Sequence, residues 1–455
     1  MDAKILDVNS VYHDMPLEDL MENAGIAVAK EARGYQHVTV IAGRGNNGGD
    51  ALAAARILAE EGKKVRAAVI EGEKSRLCKL NLDRLPPEVE TITVSKAKDL
   101  PDLEKTDLII DGLMGTGFTG KLRESTASII KAINASGTRI LSIDAPSGKK
   151  VEADQVLSLH EAKVIGAQVA DIGIPMEAWT QTGPGDVLYC LPKRKKDSHK
   201  GDHGRILVVG GSREYPGTPV LVGMACLRAG ADLTTLAVPA YSADHMKHVP
   251  DLMLQTLSSQ NHVTRESLET IDVDKIDVVV AGNGMGLHEE SGEAVGEILS
   301  WKKPTVLDAD ALKLLNPQSL HEKTLITPHR REYETIYGEI RDDSLMEDIK
   351  SNAAKTRSTI LLKGNPDIVS DGETTRTNHT GNPYMSVGGT GDVLAGVAAA
   401  LYAKSGNPFL SACAAAFLTG FAGDLAAEAY TDSLTASDVT SYLPDAIRKC
   451  RWHGK

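Results

Sequence analysis

The chain has 455 residues, which is long for one hydrophobic core and predicts two or three domains. Hydrophobic residues make up 42% and charged residues 25%, as in soluble globular proteins, and with only four Phe and three Trp the cores must be aliphatic. The net charge of −12 argues against non-specific binding to nucleic acid or to anionic membranes. An anionic ligand must therefore be held by local backbone amides and a few lysines.

The cysteines and the N-terminal residues bear on the compartment. Five cysteines lie far apart with no metal-ligand spacing, which predicts reduced thiols (Cys78, Cys190, Cys226, Cys413 and Cys450). The first residues lack the pattern of a signal peptide, and no apolar run approaches the length of a membrane span. We therefore expect a cytoplasmic protein that binds neither membranes nor nucleic acid.

The N-terminal part begins with a helical pattern over residues 10–33 and continues as a strand, a glycine-rich loop, a helix and a second strand. Residues 38–42 and 65–70 have the apolar character of strands, and residues 51–61 that of a helix. The loop at 43–50 has the spacing GxGxxG, and an acidic residue ends the second strand. A dinucleotide-type site is therefore one interpretation, although this motif alone has low specificity.

The same loop also carries Asn46, Asn47 and Asp50, whose oxygens phosphate binding does not require. Such oxygens suit the hydroxyl groups of a ligand or a hard cation such as K⁺ or Mg²⁺. Asn and Asp are also frequent in turns and helix caps, so a purely structural role stays open for this loop alone.

Two further predicted strands end in acidic residues. Residues 107–111 and 139–144 are apolar runs that finish in Asp111 and Asp144 and enter glycine-containing turns. Ligands bind beyond the carboxyl ends of the strands in a parallel sheet. We therefore expect one site to contain Asn47, Asp111, Asp144 and Ser147.

The first domain is expected to finish with strands near residues 163–167 and 186–189, before a charged segment at 192–199. Basic residues in such a segment are more often solvated than bound to nucleic acid, so we interpret it as a linker. From residue 200 onward strands alternate with helices, which predicts a second α/β domain. An Ala- and Gly-rich helix at 410–430 is interpreted as shorter than a membrane span and packed inside this domain.

The most specialised stretch is residues 378–392, which ends in Gly388-Gly389-Thr390-Gly391-Asp392 and leads into a predicted helix. Free N–H groups at a helix start bind anions, and a carboxylate there can take a proton from an attacking hydroxyl. A glycine loop whose Asp merely favours the helix dipole is the structural alternative.

A strand ending at Lys363-Gly364 adds a cation for nucleotide phosphates, and His329 follows another strand, with a functional role and a structural one both open. No GxxxxGK[ST] motif is present, so a P-loop kinase is excluded. The second domain is therefore predicted to transfer a phosphoryl group to a hydroxyl.

Taken together, these motifs resemble those of the bifunctional NAD(P)H-hydrate repair enzymes, in which an epimerase domain is fused to an ADP-dependent dehydratase domain. The resemblance covers nearly the whole chain. It rests on MENAG at 21–25, GRGNNGGD at 43–50, DGLMGTGFTGK at 111–121, DAPSG at 144–148, KGDHG at 200–204, AGNGMG at 281–286, LDADAL at 307–312, TPHRRE at 327–332, LLKG at 361–364 and NHTGNPYMSVGGTGD at 378–392.

The resemblance implies an α/β chain with an N-terminal Rossmann-like three-layer epimerase domain at 1–191, a linker at 192–199 and a C-terminal ribokinase-like dehydratase domain at 200–455. It implies epimerisation of the R and S hydrates of NADH and NADPH, and dehydration of the S hydrate with ADP, giving AMP and phosphate. It also implies K⁺ in the epimerase, Mg²⁺ with ADP in the dehydratase, and a homo-oligomer.

Site residues are implied by the same resemblance. Asp392 and Asp144 would be catalytic, and K⁺ would bind to Asn47, Asp111 and Ser147. The hydrate in the epimerase would contact Asn46, Asn47, Gly48, Gly49, Asp50, Gly115, Thr116, Gly117, Phe118, Thr119, Gly120, Lys121 and Asp144. The hydrate in the dehydratase would contact Thr218, Gly284, His329 and Asp392. The nucleotide would contact Lys363, Gly364, Asn365, Pro366, Asp367 and Gly391.

The sequence departs from the family pattern in a few places, but no departure removes a chemical group from the proposed sites. Thr218 stands where a small Ala is usual, and Asn283 replaces the Pro of a usual G-P-G-[LM]-G. Ala51 and Ala145 replace a Gly and an Ile that are common there.

Three alternatives stay open at this point. The first is a ribokinase-like kinase of a vitamin alcohol with a non-catalytic nucleotide-binding N-terminal module. The second is a first domain that only binds a regulatory ligand, and the third is a Rossmann dehydrogenase. The favoured interpretation does not decide whether ADP or ATP is the phosphoryl donor, or whether NADH hydrate or NADPH hydrate is preferred. It also leaves open the oligomeric state and the residue that moves the proton in epimerisation.

Overall fold

The structure is a computed structural model that describes residues 2–117, 120–246, 249–340 and 342–453. Backbone contacts divide the chain into two compact units, one formed by Asp14–Pro175 and the other by Met1–His13 together with Met176–Lys455. The first helix, α1 (Ala3–Tyr12), thus packs with the C-terminal part of the chain.

This division differs from the boundaries predicted from the sequence. Residues 1–13 and 176–191, assigned there to the first domain, have their contacts in the other unit. The segment 192–199 lies within that unit, and the Arg194 guanidinium donates to the Gly230 carbonyl at 3.0 Å. The physical reason is that contacts distant in sequence, which carry no local signal, hold both segments.

The unit Asp14–Pro175 is built on a seven-stranded parallel sheet. Its strands in spatial order 3-2-1-4-5-6-7 are β1 (His37–Ala42), β2 (Lys64–Ile70), β3 (Glu90–Val94), β4 (Leu108–Gly112), β5 (Arg139–Ile143), β6 (Gln155–Leu159) and β7 (Gln168–Ala170). The chain reverses its direction of travel across the sheet between β1 and β4, which is the position where ligands bind in doubly wound folds.

Helices cover both faces of this sheet, as a three-layer fold requires. They are α2 (Leu17–Ala32), α3 (Asn46–Glu60), α4 (Arg76–Asp83) and α5 (Glu124–Asn134). Successive side chains of β1 point to opposite faces: Val40 packs in the core with α2 and α3, whereas Ile41 packs in the core with α5.

Two predicted strands were wrong. The end of this sheet consists of β6 and β7 instead of a strand at 163–167, and residues 186–189 lie in a helix of the other unit. The apolar residues 187–190 form a run too short for strand and helix patterns to be told apart, and Pro184 in the first turn favours the helix.

The other unit is built on a nine-stranded sheet with spatial order 10-9-8-11-12-13-14-15-16. Its strands are β8 (Arg205–Val209), β9 (Leu233–Val238), β10 (Met253–Thr256), β11 (Val278–Ala281), β12 (Thr305–Leu307), β13 (Thr324–Ile326), β14 (Thr359–Leu362), β15 (Asp367–Ser370) and β16 (Thr375–Asn378). The first seven are mutually parallel, and β15 pairs antiparallel with both β14 and β16.

Two helical layers enclose this sheet. The helices of the unit besides α1 are α6 (Met176–Thr180), α7 (Pro184–Cys190), α8 (Thr218–Arg228), α9 (Ala240–His245), α10 (Glu289–Ser300), α11 (Asp310–Leu314), α12 (Arg330–Tyr337), α13 (Leu345–Thr356), α14 (Thr390–Ser405), α15 (Pro408–Tyr430) and α16 (Ala436–His453). The layer with α8, α14 and α15 is rich in alanine and glycine, so its helices approach each other and the sheet closely.

Helix α15 corrects one expectation and confirms another. It has 23 residues and is long and apolar enough to cross a membrane by length and composition, whereas the sequence was interpreted as too short. In an apolar 18-residue window of the segment Pro408–Ser433, 83% of the residues are buried inside the structure, so α15 is a core helix as expected.

A buried ion pair explains why α1 belongs to this unit. The guanidinium of Arg376 in β16 pairs with the carboxylate of Asp186 in α7, at 2.5 Å, and both side chains are fully buried. Asn9 of α1 donates to the same carboxylate at 3.2 Å and accepts the Gly185 N–H at 2.8 Å. The first helix therefore completes the hydrogen bonding of a buried charge.

Candidate active sites

The first candidate site lies at the carboxyl ends of β1 and β4. Helix α3 begins at Asn46, directly after β1, and the Gly43 N–H donates to the Gly112 carbonyl at 3.0 Å. A side chain at Gly43 or Gly48 would collide with backbone atoms, so this turn requires glycine. The side-chain oxygen and nitrogen of Asn47 are both buried and have no hydrogen-bond partner. An unpartnered buried amide is costly and indicates a ligand position.

Asp111, at the end of β4, is fully buried and accepts four hydrogen bonds. The hydroxyls of Ser142 and Ser147 donate to its carboxylate at 2.7 and 2.6 Å, and the N–H groups of Ser147 and Leu113 donate at 3.0 and 3.2 Å. Burial raises the pKa of Asp111 although these donors lower it. No ion pair in the described part of the chain involves Asp111, so its negative charge lacks a cationic side chain.

Asp144 follows β5 with a positive φ of 63°, a left-handed conformation that is uncommon for residues other than glycine, asparagine and aspartate. Its carboxylate accepts the Leu159 N–H at 2.9 Å. Burial raises the pKa of Asp144, which the Leu159 N–H and Lys163 oppose. A half-buried carboxylate with a raised pKa suits proton transfer.

The other residues expected at this site lie around it to different degrees. Gly115 approaches Asn47: a side-chain carbon at Gly115 would stand 3.4 Å from the Asn47 Cβ. Gly48, Gly49 and Asp50 are buried in the first turns of α3. The other expected residues are exposed to solvent: Asn46, Thr116, Gly117, Gly120 and Lys121. Phe118 and Thr119 lie outside the described residues.

The second candidate site lies at the N-terminus of α14, as the sequence predicted. Gly389 has φ of 96° and precedes the helix, which begins at Thr390 and carries Asp392 in its first turn. The Asp392 carboxylate accepts a hydrogen bond at 2.7 Å from the side-chain amide of Asn283, which follows β11.

Asp308, after β12, joins the groups of this site. Its carboxylate accepts Lys363 Nζ at 2.8 Å, the Thr327 hydroxyl at 2.9 Å and the Asn283 amide at 3.0 Å. Lys363 Nζ also lies 3.9 Å from the Glu332 carboxylate. Burial disfavours the charge on Lys363, but Asp308 and Glu332 outweigh it and raise the pKa of Lys363. The lysine is therefore charged.

Asp392 has the titration expected of a general base at neutral pH. Burial, and then the charge of Asp308, raise the pKa of Asp392 to about 7, while Asn283 and Lys363 lower it and Asp310 raises it further. Groups with a pKa near the working pH are effective in proton transfer.

The residues expected to contact the hydrate in this unit lie in two places. Thr218 begins α8, and its hydroxyl would stand 3.0 Å from a side-chain carbon at Gly284, which neighbours Asn283. His329 caps α12: its ring accepts the Glu332 N–H at 3.1 Å, and Glu332 accepts the His329 N–H at 2.9 Å. The imidazole is half exposed beside Lys363, so it is both a cap and available to a ligand.

The residues expected to hold the nucleotide form an exposed turn after β14. Gly364, Asn365 and Pro366 are exposed, and the Asp367 carboxylate accepts the Gly364 N–H at 2.8 Å. Burial raises the pKa of Asp367. This carboxylate shapes the turn. Gly391 lies close to Lys363, because a side-chain carbon at Gly391 would stand 3.3 Å from the Lys363 Nζ atom.

Sequence reasoning missed four residues of the second site: Asp308, Asn283, Thr327 and Glu332. Each follows a strand of the sheet or begins the helix after it. Their common signal is a polar residue directly after a buried apolar run. In this domain it was used for the strand ends at His329 and Lys363, and these four residues were given no role of their own.

One further cluster could in principle bind a metal ion. Ligand atoms of His262, His288 and Glu290 lie within 4.8 Å of one another. The two imidazoles stack face to face, with centroids 4.0 Å apart and planes at 15°, so a cation in the plane of one ring lies outside the plane of the other. In this conformation the pair does not form a metal site.

Comparison with known proteins identifies the family. A family model described as NAD(P)H-hydrate dehydratase matches residues 206–445, and one described as YjeF-related protein N-terminus matches residues 17–176. Proteins named bifunctional NAD(P)H-hydrate repair enzyme are 38% identical in Archaeoglobus fulgidus, over 99% of this chain and 98% of that protein, and 37% identical in Hyperthermus butylicus, over 98% and 91%. The chain belongs to the bifunctional NAD(P)H-hydrate repair enzyme family.

Solved structures of similar fold place the C-terminal part of this family member among ribokinase-like proteins. A ribokinase-like superfamily protein from Enterococcus faecalis is 26% identical, with a TM-score of 0.51 over 58% of this chain and 94% of that one. An ADP/ATP-dependent NAD(P)H-hydrate dehydratase from Bacillus subtilis has the same fold at 23% identity, with a TM-score of 0.50 over 60% and 99%. The predicted fold class and family resemblance are confirmed.

Proposed function

We propose that this chain repairs hydrated nicotinamide cofactors in two steps. The unit Asp14–Pro175 interconverts the R and S hydrates of NADH and NADPH, and the other unit dehydrates the S hydrate with ADP, giving AMP and phosphate. One observation carries the proposal: a chain spanning at least 91% of the two bifunctional relatives has, in each unit, a carboxylate whose pKa is raised by burial, Asp144 and Asp392. The alternative function, a kinase with a non-catalytic first domain, does not explain the raised pKa of Asp144 or the buried Asn47 amide that has no hydrogen-bond partner.

The dehydration uses the second site in two stages. The ionised Asp392 carboxylate takes the proton of the hydrate's hydroxyl, whose oxygen attacks the β-phosphorus of ADP while the bond to AMP breaks. The carbon–oxygen bond then breaks, and the phosphate leaves with the former hydroxyl oxygen and the bonding electrons. The neighbouring ring carbon gives its proton to the departing phosphate or to water, and the electrons of its C–H bond restore the ring double bond. N–H groups at the start of α14 and the Lys363 ammonium stabilise the transferring phosphoryl group.

Mg²⁺ is proposed to enter with the nucleotide. Three carboxylates face the single ammonium of Lys363 (Asp308, Glu332 and Asp392), and the further carboxylate of Asp310 is paired with Lys313 at 3.0 Å. A site with this excess of negative charge repels a free diphosphate. A divalent cation on the phosphates removes that repulsion, so the magnesium complex of ADP is the expected donor, with ATP as the alternative.

K⁺ is proposed for the first site because its groups fit a hard cation. The Asn47 oxygen has no partner, and Asp111 is a buried carboxylate without a cationic side chain. The Ser147 hydroxyl donates its proton to Asp111 and accepts the Met114 N–H at 2.8 Å. One lone pair of its oxygen is left for a cation. A bound K⁺ would neutralise the site and fix the turn after β4.

Replacing Asn47 by leucine should weaken the binding of the K⁺ ion that supports epimerisation. The variant keeps the side-chain size but loses the unpartnered oxygen, so the K⁺ concentration for half-maximal rate should rise about tenfold or more. The rate is measured against K⁺ at constant ionic strength, with choline as the replacing cation. Asn134→Leu, at a half-buried helix end, is the matched control. An unchanged K⁺ dependence in the Asn47 variant would refute the assignment.

Replacing Asp144 by asparagine should abolish conversion of the R hydrate to the S hydrate. Asparagine can still accept the Leu159 N–H but cannot take up a proton, so the rate should fall by about a hundredfold or more. Dehydration of the S hydrate with ADP should be intact. R hydrate is supplied with the magnesium complex of ADP, the variant's own dehydratase unit converts any S hydrate to NADH, and the appearance of NADH is followed. Full conversion by the variant would disprove the role of Asp144.

The overall function is tested by incubating the wild-type protein with chemically prepared NADH hydrate and the magnesium complex of ADP. Absorbance at the NADH wavelength should return, with one AMP and one phosphate formed per NADH. The same assay with NADPH hydrate and with ATP ranks the substrates and the donors. Failure with both nucleotides, together with phosphorylation of a vitamin alcohol, would replace the proposal by the kinase alternative.

A cytoplasmic location and a homo-oligomer complete the proposal. All five cysteines are buried and unpaired by disulfides, and burial raises the pKa of each thiol, as suits a reducing compartment. Light scattering coupled to size exclusion measures the assembly, and a mass of one 48.5 kDa chain would refute the homo-oligomer.

A further inference from the structure

Asn283 occupies a special position between two acidic groups of the second site. It is fully buried, and its amide nitrogen donates to Asp392 at 2.7 Å and to Asp308 at 3.0 Å. The opposite orientation of the amide would place its oxygen against two carboxylates, so the observed orientation is the favourable one. One amide therefore joins the carboxylates that follow β12 and begin α14.

The backbone around Asn283 holds it in this position. The flanking residues Gly282 and Gly284 have φ of 118° and 67°, a conformation that favours glycine. A side chain at Gly282 would collide with the Asp308 carbonyl, so the two turns are in close contact. The Asn283 carbonyl accepts the Gly211 N–H at 3.0 Å, which ties the turn to β8. The amide is thus presented by a rigid turn instead of a mobile loop.

The bond to Asn283 determines how Asp392 is oriented. Among the described residues, Asn283 is the side chain that donates to Asp392, and it uses only the Oδ1 atom. Oδ2 accepts no hydrogen bond from the described residues and stays available to the hydroxyl of a ligand. The Oδ1 atom of Asn283 is itself buried without a donor, so a ligand hydroxyl or water can complete it.

The charges around Asp392 make this bond important for proton transfer. Asp308 at the end of β12 and Asp310 in α11 disfavour its ionised form, and Lys363 at the end of β14 favours it, with Glu332 of α12 facing that lysine. The Asn283 N–H bond also favours the ionised form. Without this bond the pKa of Asp392 would be higher, and its carboxylate would be free to rotate toward Lys363.

We infer that Asn283 is a positioning residue for the dehydration step: it fixes one oxygen of Asp392 so that the other accepts the proton of the substrate hydroxyl. This inference rests on the proposed function of the second site. It adds a residue that neither the sequence motifs nor the family comparison assigns, and it gives the buried amide a chemical role.

The test compares two variants that preserve the shape of the side chain. Asn283→Leu removes the donor, and Asn283→Asp replaces it with a third carboxylate. The pH dependence of kcat/KM for S-hydrate dehydration is measured from pH 5.5 to 9.5 with saturating magnesium ADP. The acidic limb should move upward by about one pH unit in the leucine variant and further in the aspartate variant. For the leucine variant this shift lowers kcat/KM about fivefold at pH 7 and about tenfold well below pH 7. Above pH 9 the leucine variant should recover the part of its activity that is lost to protonation of Asp392, while the part that is lost to its misorientation should remain.

Asn352→Leu is the matched control, because Asn352 donates to the Tyr333 hydroxyl at 2.7 Å away from the site. Its pH profile should be that of the wild type. A merely structural role of Asn283 would lower the rate by one factor at every pH and leave the limb in place, which would overturn the inference, as would an unchanged rate. If the wild-type protein itself fails to dehydrate the hydrate, the proposed function is refuted instead.

Discussion

Replacing Asp392 by asparagine should lower ADP-dependent dehydration of the S hydrate by a factor of about 10² to 10⁴, the usual contribution of a positioned general base. Asparagine has nearly the same shape and can still accept the Asn283 amide at its oxygen, so the site keeps its form. What is lost is the group that takes the hydroxyl proton. NADH formation from purified S hydrate, ADP and Mg²⁺ is the measurement.

The pH dependence of the wild type gives the same prediction a second readout. Since the pKa of Asp392 is raised to about 7, the base is protonated below that pH and the rate should fall about tenfold per pH unit on the acidic side. The limb should be absent from whatever residual activity the Asp392→Asn variant retains. If the residual activity of the Asp392→Asn variant fell in the same way at acidic pH, the group that titrates in the wild type would not be Asp392.

Stability separates catalysis from folding in this variant. The pKa of Asp392 is higher in the folded chain than the ordinary value of 3.8, so folding favours the protonated carboxyl. The stability that the protonated carboxyl contributes is fully present below about pH 4 and is lost as the pH rises through about 7. Asparagine cannot ionise, and the variant should therefore be at least as stable as the wild type at pH 8. Asp445→Asn, at an exposed ion pair, serves as the control for both rate and stability. A destabilised variant would indicate that Asp392 holds the fold.

The second site also shows what the sequence could predict. The loop before Asp392 was interpretable because a glycine run entering a helix permits few alternatives, and the structure begins α14 at that point. Asp308 and Lys363 lie 55 positions apart in the chain and meet only because β12 and β14 flank β13 in the sheet. The strand order that joins them depends on pairing between distant segments, about which local patterns say nothing.

The boundaries of the domains were the weakest prediction for the same reason. Residues 186–189 have a local apolar pattern that a strand and a helix share, and only the long-range pair between Asp186 and Arg376 shows where this segment belongs. In the first site, by contrast, Asp111 and Ser147 were grouped correctly because both follow adjacent parallel strands, β4 and β5, and a hydrogen bond of 2.6 Å joins them.

Replacing Arg376 by methionine should destabilise the unit that contains it by about 3 to 5 kcal/mol, because the carboxylate of Asp186 would stay buried without its cation. Asn9 and the Gly183 N–H, at 3.2 and 2.8 Å, would still donate to that carboxylate but cannot neutralise it. Exchanging both partners, with Asp186→Leu added to Arg376→Met, should recover most of the loss, since no uncompensated charge is then buried. The free energy of unfolding is measured in urea by tryptophan fluorescence.

Tryptophan fluorescence reports on the intended unit, because all three tryptophans, Trp179, Trp301 and Trp452, belong to it. The heat inactivation of epimerisation should be unchanged in the Arg376→Met variant, since none of the altered contacts lies within Asp14–Pro175. The exposed pair of Arg448 and Asp445 provides the matched control, and Arg448→Met should leave the unfolding midpoint where it is. Equal effects of the buried and exposed replacements would show that the buried pair does not stabilise the unit. No recovery in the double variant would show that packing around Arg376 matters and the buried charge does not.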